Sequence, residues 1–541
     1  MSKDTCYAGG IDLNFFESAT LEPITTGTNT QKAEAIGRNV LRILMMGWQD
    51  DWKKLATWDI FKAIFVDRDH ELTKGMRLAF QQGFNNLFRQ LQNRTLTQAQ
   101  QNQAQLFLAN CLTLLPFSDI TPYESFTIPQ YLNNTWQMVE YRVVPIELTP
   151  TTGLSKLWLD DKDRVFAYGL EPITNEAAES HLIFMGTTYP AGQGFVTQID
   201  TDLEAFETAG KKLYRSGYRN ISNWLDKQSK KVHVCGTSLG GSLSLLLAID
   251  KGDKLSRVDA LNPPGLYNAF RKSRFDNWDK LKNKPQVIVQ KQANDPVSKF
   301  GVWKDDWTVV HVVPPKDKQG TNAVVDHALN YAGFADTQFI ALDPKLDNEE
   351  RKSRDFILYA LTRSLVSYLF LLPYRILVLP ILRYVKNNPL LVVYIAALAV
   401  LSVFFPPLLP ALIAISVMVV VVESLMALKT LFDKPKIVAC QDPKLPRNQA
   451  LDTYGNITEV NVTLKELDNY KQAKKMLNNE EVDTRVIEDK IVTYKATKAE
   501  IIDLKQTVRL VNQFGLNKNN PEFMERLREV GAEYSAGKLG Q

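Results

Sequence analysis

Gly236-Thr237-Ser238-Leu239-Gly240, extended by Gly241, is the segment of this chain best suited to chemistry. A serine with glycines two residues before and two after can occupy a sharp turn between a strand and a helix. Its hydroxyl is then exposed as a nucleophile, and the missing side chains let strand and helix approach closely. The flanks agree: KKVHVCG reads as a short buried strand and SLSLLLAID as the helix that follows. The helix N-terminus would bring positive potential to a developing oxyanion. A serine hydroxyl also needs a base, and in this arrangement the base follows the serine along the chain. The chain has five histidines, of which His70, His181 and His233 precede Ser238. His311 sits inside the strand pattern WTVVHVV, where its side chain would point to a sheet face. His327, in VVDHALNYAG, follows a polar loop and is the favoured base.

The acid that orients the imidazole should lie between serine and histidine, just past a strand. Asp295 fits, because QVIVQK ends and the acid appears in a turn fixed by Pro296. Asp259 falls within a strand, Asp326 adjoins the histidine, and Asp305 and Asp306 read as solvated loop charges. An oxyanion hole needs two donors. The Leu239 amide directly after the nucleophile is one, and Thr187, at the end of HLIFMGTTYP, offers an amide and a hydroxyl as the other. Cys235 should face the core as a small apolar group. No metal-ligand spacing or phosphate-cradling loop is present, so no cofactor and no metal are expected.

These residues need an α/β scaffold. From about residue 135 to 345, short β-branched and aromatic strands alternate with helical segments, which indicates an α/β layered domain with a mostly parallel sheet. Residues 1–30 read as a loose leader. Residues 31–134 form a helical N-terminal region, with apolar positions three and four apart in AIGRNVLRILMMGW and MRLAFQQGFNNLFRQL. Residues 437–541 read as a charged helical C-terminal region.

At the level of motifs the chain resembles the lipase class 3 family, the fungal-lipase-like branch of the α/β-hydrolases. The matching features are the strand ending in Gly186-Thr187, the glycine–serine elbow and the Asn262-Pro263-Pro264-Gly265 turn, followed by Asn294-Asp295-Pro296-Val297 and His327. The resemblance covers about residues 160–335. It implies an α/β-hydrolase domain with Ser238, Asp295 and His327 as triad and Thr187 and Leu239 in the oxyanion hole. Met185 stands where the family usually has an arginine, and Thr237 where it often has a histidine. Residues 189–199 occupy the position of the family's lid.

Residues 356–430 read as membrane-associated. Residues 390–422 contain no charge, but Pro406, Pro407 and Pro410 interrupt them, so two short helices in a hairpin (390–427) fit better than one long span. Basic residues flank both ends (Arg375, Arg383 and Lys386; Lys429, Lys434 and Lys436), which puts both ends on the cytosolic face. The first twenty residues lack the apolar core of a secretory signal peptide. The formal charge of +4 over 541 residues argues against a nucleic-acid partner. Four scattered cysteines argue against a disulfide scaffold. The expectation is a membrane-held serine hydrolase cleaving lipid acyl esters, its catalytic domain on the cytosolic side and its terminal regions open to protein partners. An acyltransferase using the same residues and a non-enzymatic membrane scaffold remain as alternatives.

Overall fold

The structure is a computed structural model. It describes residues 9–46, 70–118, 125–149, 164–187, 208–266, 276–318, 323–352, 457–478 and 491–535, with a few short gaps and some isolated positions elsewhere. The chain divides into two compact units. One spans 1–120 and 126–433, the other 121–125 and 434–541.

The first unit is built on a nine-stranded sheet whose spatial order follows the sequence: β1 (Ser125–Leu132), β2 (Thr135–Glu147), β3 (Phe166–Pro172), β4 (His181–Phe184), β5 (Val232–Thr237), β6 (Leu255–Leu261), β7 (Gln286–Gln292), β8 (Thr308–Val313) and β9 (Gln338–Leu342). Strands β4 to β8 run parallel, whereas β2–β3, β3–β4 and β8–β9 pair antiparallel. The fold is therefore α/β with a mixed sheet. The central strands are buried on both faces: all six residues of β5 are buried.

A parallel sheet wound in sequence order, with crossovers of one hand, carries its connecting helices on one face and leaves the other bare. Helices α1 (Asn29–Met46), α2 (His70–Leu91) and α3 (Gln98–Leu114) belong to the cover of that second face. Their Leu41, Phe80, Phe107 and Cys111 share one core cluster with Ile183 of β4, Cys235 of β5, Ile288 of β7 and Val310 of β8. A separate helical region over 31–134 is thus not what forms. The helices share the sheet's core, and the sheet itself begins at Ser125. On the other face, α4 (Lys211–Asp226) joins β4 to β5, α5 (Leu239–Lys251) joins β5 to β6 and the short α6 (Asp276–Lys280) precedes β7. Helices α7 (Ala323–Ala328) and α8 (Pro344–Lys352) flank β9.

The leader is docked rather than loose over residues 9–16. Phe15 is 1% exposed, with its ring edge-on to Phe84 at 5.5 Å, Phe80 at 6.0 Å and Phe107 at 6.3 Å. Gly83 gives it room, since a Cβ there would lie 2.0 Å from the ring. The Gln103 side chain donates to the carbonyls of Ile11 and Ala332 and so ties the segment to the end of the α/β region. Removing an enclosed aromatic ring leaves a cavity, so Phe15→Ala should destabilise the first unit by about 3–5 kcal/mol. Urea denaturation would measure this, and a loss below about 1 kcal/mol would mean the leader is not part of the core.

The second unit contains β10 (Lys436–Val438) paired with β11 (Ala450–Asp452), and β12 (Ile457–Thr463) paired antiparallel with β13 (Ile491–Thr497). Among the described residues they are accompanied by the helices α9 (Leu464–Leu477), α10 (Lys498–Phe514) and α11 (Pro521–Ser535). Met476, Val511, Phe523 and Leu527 form its core. The charged helical region expected over 437–541 does contain helices, but it also contains these strands, because IVTYKAT alternates apolar and polar residues like an edge ribbon. Thr463 closes β12 and opens α9 with a reciprocal capping box to Glu466.

Among the described residues no helix is long and apolar enough to cross a membrane. Nearly all of the 390–427 hairpin segment, and all of 189–199, lies outside the described residues.

Candidate active site

Ser238 occupies a strained turn between β5 and α5, at φ 54° and ψ −123°. That backbone region disfavours any residue with a Cβ and persists only where the surroundings over-determine it. Here they do. The Ser238 amide donates to the Leu261 carbonyl at the end of β6 (2.9 Å), and its carbonyl accepts from the Ser242 amide (3.2 Å). Two glycines make the turn possible: a Cβ at Gly236 would lie 2.3 Å from the Gly240 carbonyl, and one at Gly240 would lie 2.1 Å from the Phe184 carbonyl. Ser238 holds the N-cap position of α5, yet its side chain makes no capping bond, so the half-buried hydroxyl is not spent on the helix.

Asp295 and His327 come together across 32 residues of sequence. His327 Nδ1 donates to Asp295 Oδ1 at 2.6 Å. The acid is enclosed and also accepts from the amides of Val297 (3.1 Å) and Ser298 (2.8 Å), while the imidazole is 22% exposed. Because a carboxylate only accepts, the imidazole proton sits on Nδ1 and Nε2 carries the lone pair of a base.

His311 is engaged elsewhere. From β8 its Nε2 donates to the Ala293 carbonyl (2.9 Å), in the turn that precedes Asp295. Ala293 itself has φ 43°, so His311 helps hold a strained turn. Asp326 is buried and accepts from Tyr331 Oη (2.8 Å) and from the Asn294 amide (3.2 Å), lacing the histidine loop to the acid loop.

The sequence reading gave Asn262 no role beyond its turn. It follows Leu261, which holds Ser238, and its side-chain amide donates to the His327 carbonyl (3.0 Å) while its Oδ1 accepts from the Gln292 amide (2.8 Å). Two consecutive residues therefore bridge the serine turn and the histidine loop. A positive φ of 46° aims Asn262 there, and asparagine tolerates that backbone better than most residues. The only sequence signal was its place at the head of Asn-Pro-Pro-Gly.

Thr187 and Leu239 lie on adjoining segments. Leu239 is the first residue of α5, and Gly186, just before Thr187, packs so closely on Thr237 that a Cβ would lie 2.9 Å from the Thr237 carbonyl. Cys235 is fully buried, and that burial pushes its thiol well above the ordinary range; the Asp259 charge adds to the shift and Arg257 opposes it.

Another cluster of ionisable groups lies near the opposite, N-terminal ends of β4 and β5 and is joined by Asp259 from within β6. His181 and His233 sit in register on neighbouring parallel strands, their Nδ1 atoms 2.9 Å apart. His233 Nε2 donates to Asp259 Oδ2 (2.8 Å), and Arg257 grips the same carboxylate with two bonds (2.7 and 2.9 Å). Burial would raise Asp259, but the Arg257 charge and the His233 bond hold it below the ordinary range. Burial, reinforced by His233, holds His181 well below its own.

No protein-family model matches this chain, nor does any curated protein. Among solved structures, the chain is similar to the Lip2 lipase from Yarrowia lipolytica, with 16% identity over 37% of this chain and 72% of that one. The TM-score is 0.22, a likeness too slight to bear on fold or function.

Proposed function

We propose that the chain is a serine hydrolase of the α/β-hydrolase type that cleaves acyl esters of membrane or neutral lipids. Ser238 is the nucleophile, His327 the base and Asp295 its orienting partner; Leu239 and Thr187 receive the oxyanion. The observation that carries this reading is the 2.6 Å bond from His327 Nδ1 to an enclosed Asp295, on loops laced to a strained serine turn.

In the proposed reaction, His327 Nε2 takes the Ser238 hydroxyl proton as Oγ attacks the ester carbonyl. The negative charge passes to the carbonyl oxygen, where the Leu239 amide at the helix start and the Thr187 donors stabilise it. Collapse expels the alcohol, which leaves with the proton held by His327, and the acyl group stays on Oγ. Water, deprotonated by the same imidazole, then releases the acid. The apolar, proline-broken 390–427 segment would keep the site at the bilayer that supplies the ester. Exposed Tyr368, Leu369 and Phe370 are also suited to lipid contact.

The decisive experiment treats the full-length protein with a fluorophosphonate probe and maps the adduct by peptide mass spectrometry. Labelling is expected on Ser238 alone, with hydrolysis of phospholipid or acylglycerol in vesicles lost in parallel. Absence of an adduct on Ser238 would overturn the assignment.

A further inference from the structure

The polar cluster at the N-terminal ends of β4 and β5 has no part in ester hydrolysis, because the proposed catalytic residues sit at or beyond the C-terminal ends of the parallel strands. We propose that Glu179, His181 and His233 form a binding site for a single divalent transition-metal cation of the zinc type, stapling β4 to β5.

One ligand-capable atom from each of the three lies within 4.8 Å of the others. Two imidazoles and a carboxylate suit zinc, and three protein ligands leave a fourth position for water. Glu179 is half-buried and the two histidines are buried, so the solvent side of the cluster is the side of the carboxylate.

The surroundings are those of a ligand set. His233 has its Nε2 held by Asp259, which leaves Nδ1 turned to the cluster, and Asp259 is fixed in turn by Arg257. A carboxylate on the far nitrogen is the usual support of a metal-bound histidine, since it fixes the tautomer and raises ligand basicity. Glu179 is oriented from two sides: Ser256 Oγ donates to its Oε2 (2.6 Å), and Tyr141 Oη donates to its backbone carbonyl (3.1 Å).

A second, independent observation comes from His181. With His233 Nε2 donating to Asp259, a neutral His233 offers only a lone pair at Nδ1. The 2.9 Å contact then takes the proton of His181 Nδ1 and leaves His181 Nε2 as a bare lone pair. That nitrogen is fully enclosed and has no hydrogen-bond partner among the described residues. Hydrogen bonding alone therefore leaves the ring unsatisfied, at the cost any buried unmatched group carries. A cation would replace the contact between the two rings: it would take the Nδ1 lone pair of His233 and the free lone pair of His181, so neither neutral imidazole need lose a proton.

The test uses the untagged full-length protein, stripped with a chelator and titrated with zinc. The expected result is one equivalent bound per chain by metal analysis after gel filtration, with a rise in melting temperature on loading. Cobalt(II) in the same protein should give the strong visible absorption of a four-coordinate site. Glu179→Gln, a change at the solvent side, should weaken binding at least 10–100-fold, and Asp259→Asn by about 10–100-fold. His181→Gln should abolish binding. Each variant is compared with wild type by circular dichroism without metal, and if His181→Gln fails to fold, Glu179→Gln decides. Failure of the wild type to take up one equivalent, or uptake unchanged by Glu179→Gln, overturns the site. Ester hydrolysis by the stripped protein reports separately on Ser238.

Discussion

Ser238→Ala is expected to lower ester hydrolysis by about 10⁶-fold in kcat, down to the residual rate that binding and oxyanion stabilisation alone provide. The reason is specific to this turn. The hydroxyl makes no capping bond, so removing it should leave α5 and the backbone at φ 54° as they are, because alanine carries the same Cβ. The loss should fall on the chemical step rather than on folding or membrane association. Turnover of a chromogenic short-chain ester and of lipid in vesicles, with purified variant and wild type side by side, reads it out. A rate within tenfold of wild type would remove Ser238 from the mechanism, whatever the geometry around it.

The second large effect is expected at the acid. Asp295→Asn keeps shape and burial but replaces a pure acceptor with a group that also donates. The bond to His327 Nδ1, 2.6 Å in the native chain, no longer fixes the proton on that nitrogen. With the proton free to sit on Nε2, the imidazole cannot take the Ser238 proton, and kcat should fall by about 10⁴-fold at neutral pH. The loss should appear in kcat far more than in KM, because the carboxylate acts through the imidazole and not on the substrate. Two amides, of Val297 and Ser298, also donate to this carboxylate, so the variant's stability must be measured alongside. A variant as stable as wild type with kcat within tenfold would show that another group orients the base.

Much of this geometry was legible because it is local. A backbone at positive φ wedged between a strand and a helix admits only small flanking residues, and Gly236 and Gly240 announce that constraint within five positions. The strands β5, β7 and β8 announce themselves by short stretches rich in valine and isoleucine, and the acid by the proline-fixed turn that follows one of them. The role of His311 was less visible. Its strand position was plain, but its bond to the Ala293 carbonyl depends on the register of β8 against β7. Asn262 was harder still, since its value lies in reaching a histidine 65 residues away.

The first-unit helices show a second kind of limit. Their 3.6-residue periodicity reveals an apolar face without saying what covers it. Only the sequence-order winding of the sheet exposes a bare face of matching character, and that turns an expected separate region into half of the core. Phe15 belongs to the same case: the short alternation of Ile11, Leu13 and Phe15 does not say what covers it, and the burial of Phe15 depends on a space left by Gly83.

The sequence by itself determined the strand–turn–helix around Ser238, the α/β character of the first unit and the uncharged, proline-broken run after it. Those features are set by steric limits and hydrophobic period, which act between residues a few positions apart. Tertiary structure alone decided that His181 meets His233 and His233 meets Asp259, that Asn262 bridges two loops, and that the leader docks. Each depends on parallel pairing or packing between segments tens to hundreds of residues apart, and such register is fixed by the summed burial of whole strands and helices rather than by any one residue's type.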